Sequence, residues 1–342
     1  MLGLPNITRE KIMKNLLVKF LKYLTKNEEQ KQQQATESKE NRLTVESKNK
    51  KKDNEPTRTS GKKLKEGDIV TFDPRDIRDV MELMENPFLA LSKNRTAPIN
   101  YESSDGRSKV KVSCHPPYYL ASIYDWDIIL FVASKMQEMI NSGEDIPPRT
   151  MIVPRYELLK SIHRHRVKKQ KEDLESSLNR LQSTLIETTI RNEDYRYRGG
   201  FGFLDSWGYT ERKDIKEFRI TLSQWLYDGI CQKGSLLKVR PEYFKITSGL
   251  KKFLYRTARK HVGNQNKSWD FSIETLYTKS GSAREFKKFK HDLKKAVSDD
   301  DIPAYSMKLI EKDEKIYVRF ISKKKDIEEI LSPDAQAVNS TQ

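Results

Sequence analysis

The chain has 342 residues, 65 Lys/Arg against 49 Asp/Glu, a net charge of +16 and two cysteines, Cys114 and Cys231. Two cysteines are too few for a disulfide framework or a structural zinc site, and no run approaches the ~18 apolar residues that cross a bilayer. A disulfide-stapled scaffold and stable membrane insertion are thereby excluded, a reducing cytoplasm fits best, and so cationic a chain gathers phosphate, which makes nucleic acid the first candidate partner.

Half of the charge lies in a tail. Residues 1–66 hold 17 Lys/Arg and 9 Asp/Glu, a net of +8, which leaves +8 for 67–342. Within the tail, 8–26 reads as an amphipathic basic helix, with Met13, Leu16, Leu17, Phe20, Leu21 and Leu24 on one side and Lys11, Lys19, Lys22 and Lys26 on the other. Such a helix docks on a partner, on its own protein or a dimer mate, or on a membrane surface. Residues 27–66 have almost no apolar side chains to offset the entropy of ordering, so they read as a disordered linker.

Order is expected from near Asp68. Strands are expected at 88–91 and 109–113, followed by a densely apolar core helix at 124–140 that ends at Ser142-Gly143. After Pro147-Pro148 come a strand at 150–153, a helix at 155–162, a basic turn from His163 and a helix at 170–183. Leu174, Leu178, Leu181 and Leu185 form that helix's buried stripe, while Glu172, Ser176, Asn179 and Ser183 face out with Arg180 beside them. Strands at 188–191, 202–207 and 216–222 would build a wing with its tip at 210–214, and a helix at 223–230 closes the unit.

The same order then recurs. A core helix at 248–261 ends at Gly263, a strand follows at 269–271, a helix at 272–278, a turn at 279–282, a helix at 283–297, and a hairpin of 304–310 and 316–321. Core helix, strand, helix, turn, helix and hairpin occurring twice is a repeat of architecture without repeat of sequence. The expected fold is α+β, two tandem winged helix-turn-helix domains at 67–232 and 233–325, preceded by the tail 1–66 and followed by a tail at 326–342.

The second helices of the two units differ in charge. In the C-terminal one, Phe286, Phe289, Leu293 and Val297 share a stripe, Arg284, Lys287, Lys288, His291 and Lys295 lie opposite, and Glu285 and Asp292 sit on a flank. A helix needing only solubility mixes both signs, whereas a cationic strip on the outward face suits a phosphate-lined major groove. A solvated lysine face is the plainer alternative. Candidate DNA contacts are therefore Ser282, Arg284, Lys287, Lys288, His291 and Lys295 in the second unit. In the first they are Ser176, Asn179, Arg180 and Ser183 on the helix, and Arg212 and Lys213 at the wing tip. The C-terminal unit is expected to supply most of the affinity, the N-terminal one weaker base contacts or a dimer interface.

Several short blocks resemble the plasmid replication initiator protein A (RepA-type) family of bacteria, over about 87–320. They are Asp125-Trp-Asp-Ile-Ile-Leu-Phe-Val-Ala-Ser, Leu178-Asn-Arg-Leu-Gln-Ser-Thr-Leu-Ile, Leu222-Ser-Gln-Trp-Leu, Leu254-Tyr-Arg-Thr-Ala-Arg-Lys-His-Val-Gly, and Lys279-Ser-Gly-Ser with Arg284-Glu-Phe-Lys. The resemblance implies an origin-binding initiator of winged helices that binds repeated sites in double-stranded DNA, helps to open the duplex and recruits the host replication initiator and replicative helicase. Two features depart from the family: the turn between Ser282 and Arg284 reads as shorter, and residues 1–66 have no counterpart.

Other signals point elsewhere only weakly. No Gly-x4-Gly-Lys-Ser/Thr occurs, so ATP hydrolysis is not expected. Gly199-Gly-Phe-Gly-Phe, with Arg196 and Arg198 beside it, resembles an RNA-binding signature, but long helical segments precede it and a glycine-rich strand entry is the simpler account. His163 and His165 flank Arg164 with no carboxylate pattern to complete a metal or nicking site, and Asp299-Asp-Asp301 before Pro303 suits an acidic turn better than a magnesium site. The expectation is a DNA-binding protein with no enzymatic activity, cofactor or metal, either an origin-binding initiator or a repressor built of the same modules.

Overall fold

The computed structural model describes residues 76–142, 146–164, 169–191, 199–213, 215–262 and 268–323. The elements expected at 8–26, 27–66 and 326–342, and the start of order near Asp68, lie outside them.

Strand β1 (Ile77–Val80) runs into α1 (Met81–Glu85), and β2 (Ile99–Glu102) pairs antiparallel with β3 (Lys109–Cys114). Helix α2 (Trp126–Asn141) opens with Trp126, Ile128, Ile129, Leu130, Phe131 and Val132, none more than 1% exposed. Burial on all sides makes it the centre about which the other elements pack. Then come β4 (Thr150–Pro154), α3 (Arg155–Ser161), α4 (Gln170–Ser183), β5 (Thr184–Thr188), β6 (Leu204–Glu211), β7 (Lys216–Leu222) and α5 (Gln224–Cys231). Strand β8 (Leu236–Val239) and a 3-10 turn at Pro241–Lys245 lead to α6 (Gly249–His261). The chain finishes with β9 (Ser268–Ser272), α7 (Ile273–Ser280), α8 (Phe286–Asp299), β10 (Tyr305–Lys312) and β11 (Lys315–Ser322).

Two three-stranded antiparallel sheets share one connectivity. In the order β6-β7-β4, the strand preceding two helices pairs with the second strand of the hairpin that follows them, and β10-β11-β9 repeats this. Among the described residues, no helix is long and apolar enough to cross a membrane.

Four expectations need correction. Residues 88–91 contribute a single bridge, Ala90 to Ser122, and no strand. The strand expected at 188–191 is β5, and it pairs with β3 instead of joining the wing. Its earlier start follows from Thr184: its hydroxyl donates to the Arg180 carbonyl at 2.7 Å and accepts from the Ala121 amide at 2.7 Å, which ends α4 and carries Leu185 off the helix stripe. The strand expected at 202–207 is β6 and begins at Leu204. Helix α8 starts at Phe286, three residues later than 283, because Glu285 has an extended ψ of 141°.

The core contains charge that only a partner could stabilise there. Asp79 of β1 is fully buried and accepts from Arg256 of α6 at 2.7 and 3.3 Å and from the Trp126 indole at 2.8 Å. Asp127 accepts from Lys252 at 2.7 Å, and the Lys252 ammonium lies 4.0 Å from the centre of the Tyr243 ring. Both pairs tie α6 to elements at least 125 residues earlier in the chain, and β8 adds to the same joint by pairing with β1 over four residues. The helix approaches closely at its start: a Cβ on Gly249 would stand 1.9 Å from the Leu91 carbonyl oxygen, so only glycine fits.

Near the far end of α6, Glu85 of α1 accepts from Lys279 of α7 and lies 3.0 Å from the His261 imidazole. Burial works against ionisation of Glu85, but hydrogen bonds from His261 and Lys279 outweigh it and hold the pKa at about 2, below the ordinary 4.5. A carboxylate depressed on folding stabilises fully above its unfolded pKa and loses that contribution as pH falls through the folded value. Glu85→Gln is therefore expected to lower the melting temperature at pH 7 and to flatten its fall between about pH 5 and 2, measured by circular dichroism.

Candidate nucleic-acid interface

Local chemistry builds a rigid turn ahead of α8. Ser272 caps α7 by accepting from the Thr275 amide at 3.1 Å, and Gly281 ends that helix with a left-handed φ of 56°. A side chain at Gly281 would be strained there, and its Cβ would meet that of Pro87 at 2.9 Å. The Ser280 hydroxyl accepts from the Ser282 amide and the Ser282 hydroxyl from the Arg284 amide, each at 3.2 Å. Tyr277 donates its phenol to the Arg284 carbonyl at 2.8 Å while its ring packs edge-on against Phe286 and Phe289. Arg95 reaches in from an earlier loop and donates to the carbonyls of Gly281, Ala97 and Pro98. The turn is thus longer than the sequence suggested, and Arg284 belongs to it, not to the helix.

Helix α8 then sorts its side chains. Phe289, Leu293, Ala296 and Val297 are buried, while Lys287, Lys288, His291, Lys294 and Lys295 are exposed. Lys287 and Lys294 form no ion pair with a described residue. Lys288 lies 3.2 Å from Glu285, with both largely in solvent, and His291 lies 3.6 Å from Asp292. Arg284 is exposed but pairs with Asp292. At the other end, Asp300 takes a left-handed φ of 43° and its carboxylate accepts from the Met307 amide and the Ser306 hydroxyl at 2.6 Å, fixing β10 to the helix end. Asp299 and Asp301 accept from Lys251 at 2.8 and 2.7 Å, so two carboxylates of this turn converge on one ammonium while Asp300 serves β10. An open cleft of about 690 Å³ beside the turn is lined by Arg95, Lys251, Arg284, Lys295 and Asp299 among others. Three of those four cations are already engaged, so the free cations of this turn and helix stand on the outer face of α8.

Lys294 was not among the sequence-derived candidates, although the 100° spacing that selected Lys287 and His291 places it at the edge of their strip. The candidates of the first unit divide differently. Ser176 is exposed on α4, and Arg212 and Lys213 are exposed at the β6–β7 turn. Asn179 accepts from the Trp207 indole at 3.2 Å, and the Ser183 hydroxyl is buried without a hydrogen-bond partner among the described residues. Arg180 turns inward, against the outward direction expected of it: its guanidinium donates to both oxygens of buried Asp125 at 2.9 and 2.7 Å. Burial disfavours the Asp125 carboxylate, yet the Arg180 hydrogen bonds prevail and hold its pKa down. The first turn of α4 exposes Glu172 and Asp173. The structure therefore gathers Ser282, Arg284, Lys287, Lys288, His291 and Lys295 on one turn and helix, and spreads the remaining candidates over α4 and a separate hairpin turn.

These elements coincide with a known family. The family model for replication initiator protein A matches residues 78–307, and the chain belongs to that family. A putative replication protein of Wigglesworthia glossinidia brevipalpis is 33% identical over 236 residues, which cover 68% of this chain and 84% of the relative. In the crystal structure of selenomethionine derivatives of domains 2 and 3 of RctB, the fold is similar with a TM-score of 0.52 at 12% identity, covering 71% of this chain and 97% of that one. Family membership gives this chain a role in the initiation of replication.

Proposed function

We propose that this chain is a plasmid replication initiator that binds repeated sites in double-stranded origin DNA and recruits the host replication initiator and replicative helicase, without enzymatic activity of its own. The β9-α7-α8-β10-β11 unit and its counterpart β4-α3-α4-β6-β7 act as winged helices, the domains being 67–232 and 233–325. The observation that carries the reading is the outer face of α8, where five exposed basic side chains stand on a helix whose entry turn is locked. Such a face neutralises phosphates and presents donors to base edges. The counterpart α4, with acids in its first turn and Arg180 turned inward, supports unequal duty between the two units.

A minimal DNA fragment carrying the flanking region and this gene should replicate autonomously, and the same fragment without the gene should not. Nuclease protection by the purified protein should then fall on direct repeats spaced by about one or two helical turns beside an AT-rich segment. Protection of a lone palindrome over the promoter, with no autonomous replication, would instead mark a transcriptional repressor.

A further inference from the structure

The β10–β11 ladder places like charges opposite each other. Its Cα partners include Lys308 with Arg319, Ile310 with Tyr317, and Lys312 with Lys315. Opposite partners share a face and successive residues alternate, so Lys308, Lys312, Lys315 and Arg319 all project from one side of the hairpin. The other side is core: Tyr305, Met307, Val318 and Phe320 are buried there together with Phe271 of β9, and α7 and α8 pack onto this sheet. The cations therefore face away from the core, on the other side of the sheet from α8.

Like charges directly opposite destabilise a ladder, and two such pairs within one hairpin serve no purpose in folding. One carboxylate among the described strand residues relieves this face. Asp270 of β9, in register with Arg319, accepts from its Nε at 2.7 Å and its terminal nitrogen at 2.9 Å, and also from Lys312. Glu311 pairs with Ile316 and so lies on the other side, and Asp313 and Glu314 form the turn. Lys308 and Lys315 are exposed and form no ion pair with a described residue. Half-buried Ile310 and Tyr317 lie between the cationic pairs and give the face an apolar floor.

We infer that the solvent side of the β9–β10–β11 sheet is a second surface for the DNA sugar–phosphate backbone, separate from α8, with Lys308 and Lys315 as its phosphate ligands and Lys312 and Arg319 held beside them by Asp270. The inference rests on the DNA-binding reading above and extends it: one module holds DNA on two differently directed faces. A bent duplex or an opened strand supplies the same phosphate chemistry, and single-stranded and duplex probes separate the two.

The test compares full-length wild type with Lys308→Gln/Lys315→Gln, Lys308→Arg/Lys315→Arg and the α8 variant Lys287→Gln/Lys294→Gln/Lys295→Gln. Each is titrated by fluorescence anisotropy at several salt concentrations against duplex and single-stranded probes of one origin sequence. The glutamine pair should reduce the slope of log K against log salt by about 1.8 on duplex or about 1.4 on the single strand, and the arginine pair should keep the wild-type slope. The probe that responds identifies which DNA form lies on the sheet. The melting temperature of the glutamine pair should equal or slightly exceed that of wild type, since both side chains stand in solvent and each substitution removes a like-charge pair. Wild-type slopes for the glutamine pair on both probes, with the α8 variant weakened, would overturn the second surface alone. If the α8 variant also bound like wild type, the DNA-binding reading would fall with it, and failure of arginine to rescue a loss would overturn the charge-based role.

Discussion

Arg256→Met is expected to destabilise the protein by about 3–5 kcal/mol, because it breaks a buried ion pair and leaves its carboxylate in the core. Among the described residues the guanidinium is the only cation hydrogen-bonded to Asp79, a fully buried carboxylate that also accepts from the Trp126 indole. Methionine fills much of the same volume but leaves a charge in the core without a counter-ion. A whole domain is stable by only ~5–15 kcal/mol, so such a loss removes a large fraction of the folded population's margin. The double variant Asp79→Asn/Arg256→Met should recover much of the loss, because asparagine removes the charge and still accepts from the indole. Urea denaturation followed by tryptophan fluorescence measures both. A single variant within ~1 kcal/mol of wild type would show that Asp79 is not held by this pair.

The second large effect concerns binding. Lys287→Gln/Lys294→Gln/Lys295→Gln should weaken duplex binding by about 500-fold at 0.1 M salt and reduce the salt slope by about 2.7, if each lysine neutralises one phosphate. These positions are preferred to Arg284 and Lys288 because those two side chains already have carboxylate neighbours, Asp292 and Glu285. All three substituted side chains are exposed, so stability should change little. Affinity that tracks wild type from low to high salt would mean that α8 is a solvated lysine face.

Much of this architecture was legible because periodicity is local. Leu174, Leu178 and Leu181 recur at helical spacing and are buried, and the apolar density of α2 marked it as a core helix before any contact was known. Short strands carry too little pattern: β1, β2 and β8 have four residues each and were not anticipated. The boundary of α8 was missed because hydroxyl-to-amide bonds at Ser280 and Ser282 hold the turn open beyond the point where helix propensity would begin. Side-chain direction near a helix edge was harder still. Arg180 sits next to the outward face by angle, and only Asp125, 55 residues earlier, draws it inward. The cationic face of the β10–β11 sheet needed the ladder register, since alternation along one strand does not say which residues of the next one stand opposite.

The joint around α6 changes what duplication means for this molecule. Two units of matching connectivity suggest beads that melt and move separately. Yet the first strand of one is laced to β8, and two of its buried carboxylates take their counter-ions from Lys252 and Arg256. Cutting the chain at 232 would leave Asp79 and Asp127 without those cations, so the N-terminal half cannot be isolated with its core intact. The two halves are copies in topology and a single body in thermodynamics, because the buried charges of one are paired only in the presence of the other.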